Sequence, residues 1–144
     1  MKIEILKKEA INSDFKKQIS ELFKQLSPNK RQIELSEILE NKNPITLAYC
    51  IENDTIIGIA AMCTYKVISG SKGWIEDVVV DENSRGKSVG QKLIKKLLET
   101  AKEKNLSEVL LFTENHRIPA INLYNKLGFK QKESRVFVLK EEHK

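Results

Sequence analysis

Residues 74–112 constrain the fold most: an apolar run, a short basic loop of small residues, an amphipathic stretch and a second apolar run follow one another without a break. The first run is "WIEDVVV", the loop "DENSRGKSVG" and the second run "EVLLF". Between them Leu93, Ile94, Leu97, Leu98 and Ala101 recur at helical spacing and give that stretch one buried stripe. A strand, a helix and a strand in that order pack as a crossover whose two strands run parallel. The expected fold class is therefore α/β, with a mixed sheet flanked by helices.

Upstream, "KIEILK" alternates with period two and predicts a first strand. In "NSDFKKQISELFKQLSP" Phe15, Ile19, Leu22, Phe23 and Leu26 fall on one helical face, with Asn12 or Ser13 as cap and Pro28 beyond the end. A shorter helix is expected over residues 33–40, stopped by "NKNP" because the residue before Pro44 is pushed out of helical geometry. Two β-rich runs around "ENDT" predict a hairpin, and the turn "SGSKG" leads into the run that starts at residue 73, so an antiparallel meander precedes the parallel unit. Downstream, Pro119 sits in the first turn of a last helix and Gly128 just past its end, and "SRVFVLK" is expected as a closing strand. With 144 residues, 40% hydrophobic and 31% charged, and no repeat or linker, residues 1–144 are expected to form a single domain.

The formal charge is +5, and the positive excess sits in residues 85–104, which favours an anionic partner. No apolar run approaches a membrane span of ~20 residues, and the first residues alternate charge with apolarity where a secretory leader would hold a hydrophobic block. A cytoplasmic protein without membrane attachment is expected. No aromatic residues interleave with the lysines of residues 91–104, so nucleic acid is not expected as a partner. Cys50 and Cys63 are isolated in apolar runs, and with His116 and His143 they form no zinc-ligand spacing, so no metal is expected.

The basic loop opens directly into a helix. The first four N–H groups of a helix lack internal acceptors, and the aligned peptide dipoles place about half a positive charge there. Small residues let an anion approach them, so the loop is built like a phosphate cradle. A nucleotide-triphosphate loop needs Gly, a four-residue spacer, Gly, Lys and Ser or Thr; Gly86-Lys87-Ser88 lacks the earlier Gly and its spacer. The three-glycine dinucleotide fingerprint is also absent. What remains is Arg85-x-x-Ser88-x-Gly90 after a strand.

"IEDVVVDENSRGKSVGQKLI" followed by "NHRIPAINLYNKLGF" resembles the GCN5-related N-acetyltransferase (GNAT) superfamily over almost the whole chain. The first segment is similar to its acetyl-CoA pyrophosphate motif and the second to its helix ending in Tyr and Gly-Phe. The resemblance implies a mixed sheet of antiparallel N-terminal strands plus a parallel unit with splayed strands. It implies acetyl-CoA as co-substrate, with Arg85, Gly86, Lys87, Ser88, Val89 and Gly90 on the pyrophosphate and the backbone of Val78, Val79 and Val80 on the pantetheine arm and the thioester oxygen. Ser88 stands where that family most often has Gly, at a helix start where a Cβ is expected to cost little.

Acetyl transfer from a thioester to an amine needs a neutral amine, a polarised carbonyl and a proton for the departing thiolate. Glu76 and Asp77 are adjacent in a strand and point to opposite faces, whereas Trp74, Glu76 and Val78 are expected to share one. Glu76 is the expected base, through water; a polar position without a proton-transfer role stays open. The match "LYNKLGF" carries the general-acid role to Tyr124. Asn115, Arg117 and Asn122 are candidate contacts of the cofactor arm, although Arg117 departs from an Asn common there, and its planar fork suits a phosphate or carboxylate. No motif makes either Cys a nucleophile, so direct transfer in a ternary complex is expected.

The expected acceptor is a primary amine of a small molecule, met by the loop "KQLSPNKRQ" and the segment "KQKESR". "IEDVVV" with "RGK" is similar to glucosamine-6-phosphate N-acetyltransferases, and Lys30, Arg31 or Arg117 would suit an acceptor phosphate. A protein or peptide amine acetyltransferase and a non-catalytic acyl-CoA sensor stay open, as does a homodimer.

Overall fold

The hairpin and crossover signals build one sheet. The computed structural model describes residues 1–141, so His143 lies outside the described residues. Among these the strands are β1 (Lys2–Ile5), β2 (Ile45–Glu52), β3 (Thr55–Val67), β4 (Gly70–Val80) and β5 (Glu108–Leu110), in the order β1-β2-β3-β4-β5. The first four pair antiparallel and β5 runs parallel to β4. Asn53 and Asp54 turn the β2–β3 hairpin with φ of 52° and 61°, a pair of left-handed residues whose twist matches the strands they join. Strand β4 begins three residues earlier than "GWIEDVVV" implied, because the turn closes at Ile68 and Ser69.

The helices are α1 (Ser13–Leu26), α2 (Leu35–Ile38), α3 (Val89–Glu103) and α4 (Ile118–Lys126). Asn12 caps α1 by accepting from Phe15 N at 2.9 Å. Helix α2 is a single turn, shorter than the expected residues 33–40. The chain divides into two compact units, Met1–Phe112 and the residues from Thr113 on.

In the first unit, one sheet face buries Leu47, Tyr49, Ile59 and Val79 with Ile19 and Leu22 of α1 and Leu35 of α2. On the other face α3 lies close to β3. A Cβ on Gly58 would stand 2.7 Å from Val89 Cγ1 and 2.9 Å from Leu93 Cδ1, so glycine there sets the approach of α3. Leu93, Ile94 and Leu97 are fully buried, each burial contributing about 1.5–3 kcal/mol. Two glutamines of α1 fasten it to β3 and to the loop that follows β4. Gln18 accepts from Ile56 N (2.7 Å), and Gln25 donates to Asp81 Oδ1 (2.8 Å) while accepting from Glu82 N (3.1 Å).

Strand β4 carries a bulge. Ala61 pairs with Glu76 and Ile59 with Val79, so Ala60 alone opposes Asp77 and Val78, and Asp77 adopts φ 53°. The bulge re-phases the strand. Trp74, Glu76 and Val79 share the face of Cys63, Ala61 and Ile59, whereas Val78 falls at the register position of Ala60; the expectation that Val78 shares the face of Glu76 is corrected. The β4–β5 ladder holds three pairs and ends at Trp74–Leu110, so β4 continues for six residues without a β5 partner.

In the second unit, α4 starts after Arg117 with Pro119 in its first turn. Its end is a Schellman closure: Gly128 N bonds Asn125 O (3.1 Å) and Phe129 N bonds Tyr124 O (3.0 Å), with Gly128 at φ 96°. The closing strand expected over residues 134–140 does not form. These residues have no ladder partner, and Val136, Phe137, Val138 and Leu139 are 67–89% exposed; alternation alone makes a strand only where another edge receives it. Phe129 accordingly anchors no following strand and packs on Tyr124 instead.

Candidate functional site

The mouth of α3 is built from the sheet outward. Asp81 N bonds Ile57 O (2.8 Å), Ser84 N bonds Asp81 O (2.8 Å) in a short 3-10 turn, and Ser84 is buried, so the loop leaves β4 along a fixed path. Arg85, Gly86, Lys87 and Ser88 are exposed. Gly86 has φ 88°, and Ser88, the residue before α3, has φ 61° and ψ 27°. The left-handed conformation costs a non-glycine residue about 1–2 kcal/mol, so the expectation of an unstrained serine there is corrected. The Ser88 side chain makes no capping bond, and no acidic residue stands in the first turn. The first amides of α3 thus keep their donors for an external acceptor.

The other loop residues divide their work. Val89 is buried against the Gly58 surface, so it offers the mouth only its backbone, and Gly90 is half-buried beside it. Lys87 Nζ lies 3.2 Å from Glu52 Oε1, an ion pair with β2. Lys92 and Lys95 are exposed on α3, as are Lys102 and Lys104 toward its end. A surface hollow lined by Pro44, Thr64 and Lys104 lies at the opposite end of α3 and includes none of the mouth residues.

Along β4, Val78, Val79 and Val80 belong to the stretch without a β5 partner, and the carboxylates Glu76 and Asp77 are exposed. Burial, followed by the negative charges of Glu76 and Asp77, pushes the Cys63 thiol above its ordinary value, and burial does the same for Cys50. Both cysteines are free, and a raised pKa leaves a thiol protonated and weakly nucleophilic at neutral pH.

The second unit holds the remaining candidates. Asn115, His116, Arg117 and Asn122 are exposed, and His116 Nδ1 lies 3.3 Å from Glu114. Tyr124 is half-buried, its ring 6.0 Å from Phe129 and nearly edge-on, so the Schellman closure that joins their backbones also orients the phenol. Burial raises the Tyr124 pKa above the ordinary phenol value, and the positive charge of Arg117 opposes that shift without cancelling it.

The bulge at Asp77, the Gly58 surface and the two glutamines of α1 were not singled out from the sequence. A glycine within a β-rich run was the one signal for Gly58. Among the described residues no group of three or more His, Cys, Asp or Glu is placed to hold a metal, and no helix is long and apolar enough to cross a membrane.

Comparison with known proteins gives this geometry a family. Residues 10–129 match the model of the acetyltransferase (GNAT) family. The glucosamine 6-phosphate N-acetyltransferase of Trypanosoma brucei brucei is 32% identical over 114 residues, which cover 74% of this chain and 76% of that protein. N-alpha-acetyltransferase 30 of Dictyostelium discoideum is 40% identical over 85 residues, covering 58% of this chain and 44% of that protein, so the chain spans under half the length of that relative. Among solved structures, an aminoglycoside acetyltransferase from an uncultured soil metagenomic sample superposes with a TM-score of 0.84 at 21% identity, covering 99% of this chain and 96% of that one. Glucosamine-6-phosphate N-acetyltransferase from Arabidopsis thaliana does so with 0.79 at 24%, covering 97% and 98%. With a family match that runs from residue 10 through α4 and a mixed sheet whose parallel strands part after three pairs, the chain belongs to the GNAT acetyltransferase family.

Proposed function

We propose that the chain is an N-acetyltransferase that moves the acetyl group of acetyl-CoA directly to a primary amine of a small molecule. The observation that carries this reading is the open start of α3: an exposed, basic, small-residue loop with neither a side-chain cap nor a first-turn carboxylate. The diphosphate accepts bonds from the amides at Val89 and Gly90 and their loop neighbours, with Arg85 supplying charge. The amide arm of the cofactor lies along the part of β4 that has no β5 partner, where main-chain groups of Val78, Val79 and Val80 meet it. Asn115, Arg117 and Asn122 are assigned to the cofactor on the family resemblance alone. The family match crosses from the first unit to the second, and we read the two as one catalytic domain.

The amine nitrogen attacks the thioester carbonyl; a C–N bond forms and the C–S bond breaks. Glu76, through water, takes the proton the nitrogen loses. Tyr124 gives its phenolic proton to the departing thiolate. Because burial holds the Tyr124 pKa above the phenol range of about 10, the phenol is protonated at neutral pH, and its ionisation lowers turnover as pH rises through that raised value. Tyr124→Phe is expected to lower kcat by about 10²–10³ and to remove that alkaline limb while acetyl-CoA affinity, measured by calorimetry, stays within about twofold. An unchanged kcat would take Tyr124 out of the acid role. A second reading, transfer to a phosphorylated amino sugar, draws support from the similarity to the Trypanosoma protein. A thiol-release assay over amino sugars, polyamines, arylalkylamines and peptides tests both.

A further inference from the structure

The sheet face that carries Glu76 holds a second pattern. By register Cys63 stands opposite Trp74, Tyr65 opposite Lys72, and Trp74 opposite Leu110, which places Tyr65, Trp74 and Glu76 on one face of β3 and β4. Phe112, two residues past Leu110 and 61% exposed, meets Trp74 with ring centroids 6.1 Å apart at 63°. An exposed carboxylate therefore stands one alternation from a pair of edge-to-face aromatic rings. The cation that register places on this face of β3–β5 is Lys72, and its ammonium lies 3.1 Å from Glu108 Oε1. Lys30 and Arg31 belong to the exposed loop between α1 and α2. The negative field of Glu76 and Asp77 reaches Cys63 on the same face, where it helps raise the thiol pKa.

From this juxtaposition we infer that the acceptor is an unphosphorylated cationic amine on an apolar stem, held by the Trp74–Phe112 ring pair with Glu76 facing its ammonium. The inference rests on the transferase reading and selects among its acceptors. Ring faces attract cations and apolar chains, and a carboxylate attracts an ammonium. The same groups repel a phosphate set among them, and Lys72, the cation that register places beside them, is held by Glu108. Trp74 and Phe112 are thus specificity-determining residues.

Trp74 is the chain's single tryptophan, so its fluorescence reports this face directly. The protein is titrated with phenethylamine, spermidine and glucosamine 6-phosphate, with and without CoA, while acetyl-CoA binding is measured separately by calorimetry. A saturable change with the two unphosphorylated amines is expected, at a Kd at least about tenfold below that for the sugar phosphate, and Phe112→Ala weakens amine binding about fivefold, of the size of an exposed cation–π contact. Equal or tighter binding of glucosamine 6-phosphate would overturn the inference, as would an unchanged amine Kd in a folded Phe112→Ala protein. Amine binding retained in a protein that fails to bind acetyl-CoA would overturn the transferase reading alone.

Discussion

The two long helices of the first unit begin in opposite ways. Helix α1 is closed: Asn12 caps it from an extended conformation, and Asp14 sits in its first turn. Helix α3, one residue longer and equally amphipathic, is preceded by a left-handed serine that caps nothing, has no first-turn acid, and follows Arg85 and Lys87. A helix start that serves only stability is sealed in the manner of α1. The α3 start forgoes about 1 kcal/mol of capping and adds the cost of the Ser88 conformation, and what it keeps is a set of free donors with a positive field. Burial elsewhere carries that cost, since Val89, Leu93, Ile94 and Leu97 are almost wholly removed from solvent.

The contrast can be broken most strongly at Gly90. Gly90→Glu puts a carboxylate into the α3 mouth, as Asp14 does in α1; acetyl-CoA affinity should fall about 100-fold or more by calorimetry while thermal stability is kept or slightly raised, because the new charge complements the dipole. Gly58→Val attacks the surface on which the mouth rests. The β-carbon already meets Val89 and Leu93 below 3 Å, so stability should drop by about 1–3 kcal/mol in urea unfolding, with acetyl-CoA binding weakened about tenfold as the helix start shifts. Asn12→Ala should cost about 1 kcal/mol and leave acetyl-CoA affinity unchanged, since the closed start serves stability alone. The smallest change is Ser88→Gly. Relief of the left-handed strain, offset by the greater freedom of glycine in the unfolded chain, should stabilise the fold by about 0.5–1 kcal/mol, and affinity should stay within about twofold because the amides are untouched.

Much of this contrast was legible in the residues. Asn12 as a cap, the helical stripe from Leu93 to Ala101, and Pro119 and Gly128 as punctuation are local signals, each with a local cause, and the structure has all of them. The antiparallel meander and the parallel strand after α3 follow from periodicity and connection length. The bulge was not legible, because aspartate takes a left-handed φ without the glycine that would announce it. Gln18 and Gln25 bond partners 36–57 positions away, a relation that no window along the chain contains. Residues 134–140 show the reverse case: an alternating pattern with high strand propensity that stays unpaired, since pairing depends on an available edge.

The central claim is that the α3 amides receive the diphosphate of acetyl-CoA, and backbone ¹H–¹⁵N spectra recorded through a CoA titration test it most directly. The account predicts that the amides of Ser88, Val89, Gly90 and Gln91 show the largest saturable shifts while those of Ser13, Asp14 and Phe15 at the start of α1 do not move. Saturable binding that leaves the α3 amides in place and shifts another region would contradict it.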